Sequence, residues 1–288
     1  MRIGIQTTTL DKNGYGRWKE QAYQKLKEHG YNCSDFDMAN TGTLFYTLPQ
    51  EDADALFLQE KNLALEAGIE IRQMHGPWRF PPKDTSEEDR AERMEKMKYS
   101  IRACALLGCK HWVIHPIMPY GLSDVPAGNA QKTWDLNMVF MGELLKTAKQ
   151  YGVTICLENM PFLEFSLSKP ERILAFVNAI DDDHFQACLD TGHVSVFQEL
   201  SIGDEVRRLG SALRVMHVHD KRESLDLHMM PFFGVTDWAS FAQALKEIHF
   251  DGVLSLETMP SPRLPDAVFE EMCKLLAQIA KAIANQAE

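Results

Sequence analysis

Eight short apolar runs, each parted from the next by a longer amphipathic stretch, recur along this 288-residue chain. They are RIGIQ (2–6), NCSDFD (32–37), IEIRQMHG (69–76), HWVIHP (111–116), VTICLEN (153–159), FQACLDTGH (185–193), LRVMHVHD (213–220) and GVLSLET (252–258). Runs this short that do not alternate apolar with polar residues read as strands buried on both faces. NCSDFD, which is polar, is the exception. The stretches between, such as EDADALFLQEKNLALEAG and LNMVFMGELLKTAKQYG, carry helical spacing and end in Gly, the residue a helix C-cap favours. Eight βα units within 288 residues predict an α/β fold: a closed (β/α)8 barrel over residues 1–288 as one domain, with no Gly/Ser linker or charge block to divide it. A doubly wound open sheet is the alternative topology, but the first strand is not followed by the G-x-G-x-x-G of a dinucleotide binder.

Composition narrows the function classes. Lys and Arg total 30 against 41 Asp and Glu, a formal charge of −11 that repels a polyphosphate and disfavours nucleic acid as a partner. The six cysteines form no C-x-x-C pair, and the opening MRIGIQTTTL lacks the apolar core of a signal peptide, so a cytoplasmic protein with reduced thiols is expected. No apolar stretch approaches the ~20 residues of a membrane span. A homo-oligomer is left open.

The polar residues at the ends of the runs carry the chemistry. The third run ends in His75, the fourth in His115, the fifth in Glu158 and the sixth in Asp190 with His193; His217 and His219 close the seventh and Glu257 the eighth. In a βα barrel those ends converge on one face, where active sites are built. Singly, a histidine at a strand end is most often a hydrogen-bonded structural group, and an Asp before Thr-Gly a turn or cap residue. Glu158 and Glu257 resist that account, because each interrupts an apolar strand where a carboxylate needs a metal, a cation or hydrogen-bond donors to offset desolvation. Glu158, Asp190, His217 and Glu257 make a mostly oxygen donor set with one imidazole and no thiolate. Such a set suits one divalent ion, Mn²⁺, Mg²⁺ or Co²⁺, and tolerates Zn²⁺.

MHGP, IHP, LEN, LDTGH, HVHD, DLH followed by a Gly and DW, and the final strand-end Glu resemble, in order and spacing, the xylose isomerase-like TIM barrels. That superfamily holds sugar-phosphate isomerases and epimerases together with endonuclease IV-type apurinic endonucleases, and the resemblance runs from about residue 2 to 280. It implies Glu158, Asp190, His217 and Glu257 as ligands of one metal ion. Glu158 and Glu257 double as the acid/base pair, and a small sugar is the substrate. Removing a proton from a carbon beside a carbonyl requires that the developing oxyanion be stabilised, which a divalent cation does, while two carboxylates take and return the proton. His193 is then expected near a substrate oxygen and Trp78, with Phe80, as an apolar wall. Arg222, beside Lys221, is a further substrate contact; His75, His115, Asp226 and His228 fall on the substrate side, and His219 falls either there or behind the metal ligands. Trp238 is expected to pack at a helix start.

The endonuclease branch implies a different centre, three zinc ions on His75, His115, Glu158, Asp190, His193, His217, Asp226, His228 and Glu257. Against it stand the net charge, the MMPFFGVTDW that replaces the Gly-Glu-Gly of those enzymes, and His219 where they commonly carry Asn. A non-catalytic sugar-binding barrel is the third class, which need not have kept both carboxylates. Asp226 and His228, in the loop after the seventh strand, divide the first two readings.

Overall fold

A computed structural model describes residues 1–222 and 225–288. Among the described residues ten strands form: β1 (Arg2–Thr7), β2 (Cys33–Asp37), β3 (Glu70–His75), β4 (His111–Ile114), β5 (Thr154–Glu158), β6 (Phe185–Asp190), β7 (Leu213–Val218), β8 (Asp220–Arg222), β9 (Leu225–Met229) and β10 (Val253–Leu256). Each of the eight expected runs contains a strand, and these eight close into a parallel barrel in the order β1-β10-β7-β6-β5-β4-β3-β2. Closure is decided at β1, which pairs with β2 on one side and β10 on the other. That double pairing excludes the open sheet.

The helices are α1 (Ala22–His29), α2 (Leu44–Thr47), α3 (Gln50–Ala67), α4 (Glu87–Leu106), α5 (Ala130–Tyr151), α6 (Pro170–Ile180), α7 (Thr191–Ser195), α8 (Ile202–Leu209), α9 (Trp238–Glu247) and α10 (Asp266–Ala287). Their ends follow from local chemistry. Ser86 caps α4 by accepting from the amide of Asp89, and three acidic residues in the first turn complement the helix dipole. Helices α3 and α5 stop at Gly68 and Gly152, whose left-handed backbones (φ 68° and 65°) cost a glycine little. Apolar faces of the helices pack on the outer faces of the strands, burying among others Phe57, Trp112, Phe176, Phe185 and Phe269. Each such large side chain contributes roughly 1.5–3 kcal/mol by leaving water.

Inside the barrel, Val113, Cys156, Cys188 and Val215 form a separate small apolar cluster. Two residues further along the same strands stand His115, Glu158, Asp190 and His217. Side chains alternate along a strand, so these four also point inward, one layer nearer the C-terminal mouth. All six cysteines are free and buried. Among the described residues no helix is long and apolar enough to cross a membrane.

The chain departs from the sequence expectation after His219. Asp226 and His228, expected in a loop, lie in β9, which pairs antiparallel with β8. LDLHM alternates apolar and polar residues, the period of a strand.

Candidate active site

Glu158 is the last residue of β5 and Asp190 the last of β6; Glu257 directly follows β10, its amide bonded to the carbonyl of Val218. Asp190 also caps α7, accepting from the amide of His193 at 2.7 Å. His217 sits among them. Its Nδ1 lies 2.8 Å from Glu158 Oε1 and 3.2 Å from Glu257 Oε2, so two carboxylates from separate strands meet at one imidazole nitrogen.

Two satellite groups flank this centre. His115 Nε2 and His75 Nε2 stand 2.9 and 3.6 Å from Glu158 Oε2. On the other side Asp226 Oδ2 lies 3.2 Å from His193 Nε2 and 3.4 Å from His228 Nε2. His219 Nε2 pairs with Asp190 Oδ2 at 2.9 Å, and its ring stacks on His228 with centroids 4.2 Å apart.

The electrostatics separate the two carboxylates proposed as an acid/base pair. Burial works to raise Glu158, but His217 foremost, with the close approach of His115, outweighs it and holds the group well below the usual carboxylate range. Glu257 is raised, because there burial prevails over His217 and His228. Burial likewise lowers His115 to about 4, whereas His75 goes up to about 9 because Glu158 overcomes its desolvation. Burial also opposes the charged form of His193, yet Asp190 and Asp226 bring it to about 10.

The donor set fits a divalent cation. Glu158 Oε2 makes no hydrogen bond although His115 Nε2 stands 2.9 Å away, and the buried His115 Nδ1 and Asp226 Oδ1 make none either, a costly condition in a protein interior that an ion bound to them removes. His75, His217 and Glu257, and likewise His75, His115 and Glu158, bring one ligand atom each within 4.8 Å of one another. Cys188 also brings its Sγ close to Glu158 and His217, where burial raises the thiol well above its ordinary value.

Above the centre opens a cavity of about 430 Å³, whose lining includes Gln6, Trp78, Phe80, Met160 and Phe162 together with His75, His115, Glu158, His193, Asp226, His228 and Glu257. The size is that of a small-molecule site. Phe80 and Phe162 stack at 6.4 Å on its rim, and Trp78 meets His115 edge-on at 4.3 Å. Gln6, His228 and Glu257 also line an adjoining lobe with Asp11 and Asp37. Among the described residues no Lys or Arg lines either lobe.

Residues 23–279 match the family model of the xylose isomerase-like TIM barrel. The chain belongs to that family. D-psicose 3-epimerase of Enterocloster bolteae is 23% identical over 89% of this chain and 82% of its own length. "Probable endonuclease 4" of Mycoplasmopsis agalactiae is also 23% identical, over 71% of this chain and 74% of its own. The crystal structure of the IOLI protein with a binding zinc atom superposes with a TM-score of 0.73 at 19% identity, covering 100% of this chain and 98% of that one. At that identity the superposition speaks for the fold.

In this xylose isomerase-like barrel, His75, Trp78, His115, His193, Asp226 and His228 line the cavity. His217 and Asp190 lie beneath it, fully buried. Two expected substrate contacts are placed elsewhere. His219 is fully buried behind Asp190, and Gly192 makes room for it, since a Cβ there would stand 2.0 Å from its ring. Arg222 is exposed on β8 and lines neither lobe. Trp238 is buried at the start of α9 and donates to Asp220 Oδ2 at 3.1 Å, the packing role expected of it.

Three residues escape the sequence reading. Asn159 takes the amide of Asp190 on Oδ1 (2.8 Å), returns a bond from Nδ2 to its carbonyl (3.1 Å) and accepts from His193 Nδ1 (2.7 Å), locking two site residues together. Gln6 donates to Glu257 Oε1 at 3.3 Å. Asp35, from the polar second run, lies 3.0 Å behind His217. The signal for Asp35 was present, because it is a carboxylate within a buried strand, the same argument that singles out Glu158 and Glu257.

Proposed function

We propose that this protein is a divalent-metal-dependent sugar isomerase or epimerase that moves a proton at a carbon adjacent to a carbonyl. One observation carries the reading: Glu158 and Glu257, from β5 and after β10, converge on His217 Nδ1 at 2.8 and 3.2 Å at the base of a small-molecule cavity. Glu158, Asp190, His217 and Glu257 would hold the ion, with Mn²⁺, Mg²⁺, Co²⁺ and Zn²⁺ all suited to the set. When bound, the ion supplies positive charge against the negative charge that develops on the substrate's oxygens.

The chain's own residues do the rest. Glu158 and Glu257, meeting at His217 from separate strands, are the pair that removes and returns the proton. Return to the same carbon from the opposite side inverts it; return to the neighbouring carbon isomerises the sugar. Trp78, Phe80 and Phe162 offer apolar surface to the sugar's C–H face, and His193 and His228 offer donors to its hydroxyls. A small unphosphorylated sugar fits this lining. A phosphate would face Asp11, Asp37, Asp226 and Glu257, with imidazoles but no Lys or Arg to meet it among the described residues. The epimerase activity named for the Enterocloster relative supports the same reading.

The test is to incubate metal-loaded protein with a panel of free ketoses and aldoses, and their phosphate esters, in deuterium oxide. Expected is a stereoisomer or structural isomer of an unphosphorylated sugar carrying one solvent deuterium at the reacting carbon. No product and no deuterium across the panel overturns the reading in favour of a binding-only barrel.

A second reading has its own observation. The nine residues of a three-zinc phosphodiesterase are all gathered here, with Asp226 and His228 brought back over the barrel mouth by β9. Against it, no Lys or Arg lines either lobe among the described residues, the side chains with which proteins usually meet a DNA backbone. Three bound zinc ions together with cleavage of a duplex containing an abasic site would reverse that preference.

A further inference from the structure

Asp35 is an expensive residue to keep. It is 1% exposed inside the barrel, in the one polar strand, where a carboxylate needs partners to offset lost hydration. Its Oδ2 accepts from Gln73 Nε2 at 2.7 Å and from Ser255 Oγ at 3.3 Å; the same oxygen lies 3.0 Å from His217 Nε2 without a hydrogen bond, which leaves Nε2 and Asp35 Oδ1 both unpaired in the metal-free ring. Gln73 is itself anchored, donating also to the carbonyl of Met216 at 3.2 Å, next to His217 in the chain. Three strands besides β7 therefore aim one carboxylate oxygen at the back of one imidazole, while the ring's front nitrogen faces Glu158 and Glu257.

An imidazole that binds a cation through one nitrogen keeps its single proton on the other, and a carboxylate at that second position sets both the tautomer and the ring orientation. We propose that Asp35 is the positioning residue of the metal centre. At 3.0 Å from Nε2 it is placed to take that proton once the ring binds a cation through Nδ1, on the cavity side where Glu158 and Glu257 stand. Gln73 and Ser255 keep Asp35 in place for that purpose. The polar second strand, anomalous for a buried barrel strand, is explained by this role. The inference rests on the metal reading given above, and it names a residue that touches neither the cavity nor the proposed substrate.

Titration calorimetry with Mn²⁺ on wild type, Asp35→Asn and Asp35→Leu tests it, alongside circular dichroism and metal-free thermal unfolding. Expected is a dissociation constant raised about 10–100-fold in both variants, the range typical of lost outer-shell partners, with a native spectrum retained. If neither variant folds, the wild-type protein decides by itself. Histidine-selective ¹⁵N spectra of the Zn²⁺-loaded form should show His217 protonated at Nε2 with Nδ1 bound.

A variant that folds and binds Mn²⁺ as tightly as wild type overturns the proposal, as does a zinc-loaded His217 carrying its proton on Nδ1. A purely structural role for Asp35 would lower the metal-free unfolding midpoint without moving the dissociation constant, which also counts against it. Wild type that takes up none of Mn²⁺, Mg²⁺, Co²⁺ or Zn²⁺ overturns the metal reading itself, an outcome separate from failure of the variants.

Discussion

His193 and Asp226, one in the short helix that caps β6 and the other in the hairpin after β7, meet at 3.2 Å between Nε2 and Oδ2. That contact folds the β8–β9 hairpin back over the barrel mouth. His228, two residues on, is held in the left-handed region at φ 45°, a conformation that costs a residue other than glycine about 1–3 kcal/mol. Its carbonyl accepts from Thr258 Oγ1 at 2.6 Å, and its Nδ1 bonds the carbonyl of Glu257 at 2.8 Å. The hairpin and the end of β10 thus fix each other, and Asp226 and His228 face the cavity together with Glu257.

If Glu158 and Glu257 transfer the proton, Glu158→Gln and Glu257→Gln should each lower sugar turnover by on the order of 10²–10⁴, since positioned acid and base groups contribute about that much. Circular dichroism should stay native, because Gln matches Glu in shape. Near-wild-type activity in either variant would remove that residue from the mechanism.

Elemental analysis of protein purified without chelator should find one tightly held divalent ion per chain. Dialysis against a chelator should abolish turnover, and adding back Mn²⁺ or Co²⁺ should restore it. Turnover that survives complete metal removal contradicts the role assigned to Glu158, Asp190, His217 and Glu257.

Glu60 gives a pH-dependent prediction away from the site. It is buried at 3% exposure, and burial raises its carboxyl above the ordinary value despite bonds from Thr9 and from Tyr23 Oη at 2.6 Å. A raised native value favours the neutral form, so Glu60 contributes most to stability below the ordinary value of 4.5 and loses that contribution as pH rises through its native value. Glu60→Gln should therefore gain melting temperature relative to wild type as pH increases from about 4 to 7, because Gln carries no charge to bury. A difference in melting temperature that does not change with pH would contradict this.

At Gly192 the constraint is steric. Ala there would place Cβ 2.0 Å from the His219 ring, so the ring or the α7 backbone must move. Gly192→Ala should cost roughly 1–3 kcal/mol of stability, the usual range for overpacking, and pull His219 from Asp190. Thermal unfolding and the ¹⁵N resonances of His219 report the two effects, and an unaltered melting temperature would show that the ring yields freely.

What the amino-acid order determined by itself was local and periodic. Eight apolar runs specified eight strands, glycines marked where α3 and α5 end, and carboxylates set in apolar strands exposed Glu158 and Glu257, because burial of a charge inside a strand is anomalous whatever the neighbours are. Barrel order then carried His75, His115, Asp190 and His217 to one end, since alternation along parallel strands sends matching positions to a shared layer. Only the tertiary structure decided the rest. Closure depends on β1 meeting β10, an encounter between residues about 250 positions apart that no local pattern encodes. The placement of His219 behind Asp190, of Arg222 on the outer hairpin and of Asp35 against His217 depends on the register between strands. A shift of one residue turns a side chain from the barrel interior to its outside, so chemistry read from residue types acquires its roles only when the strands are in register.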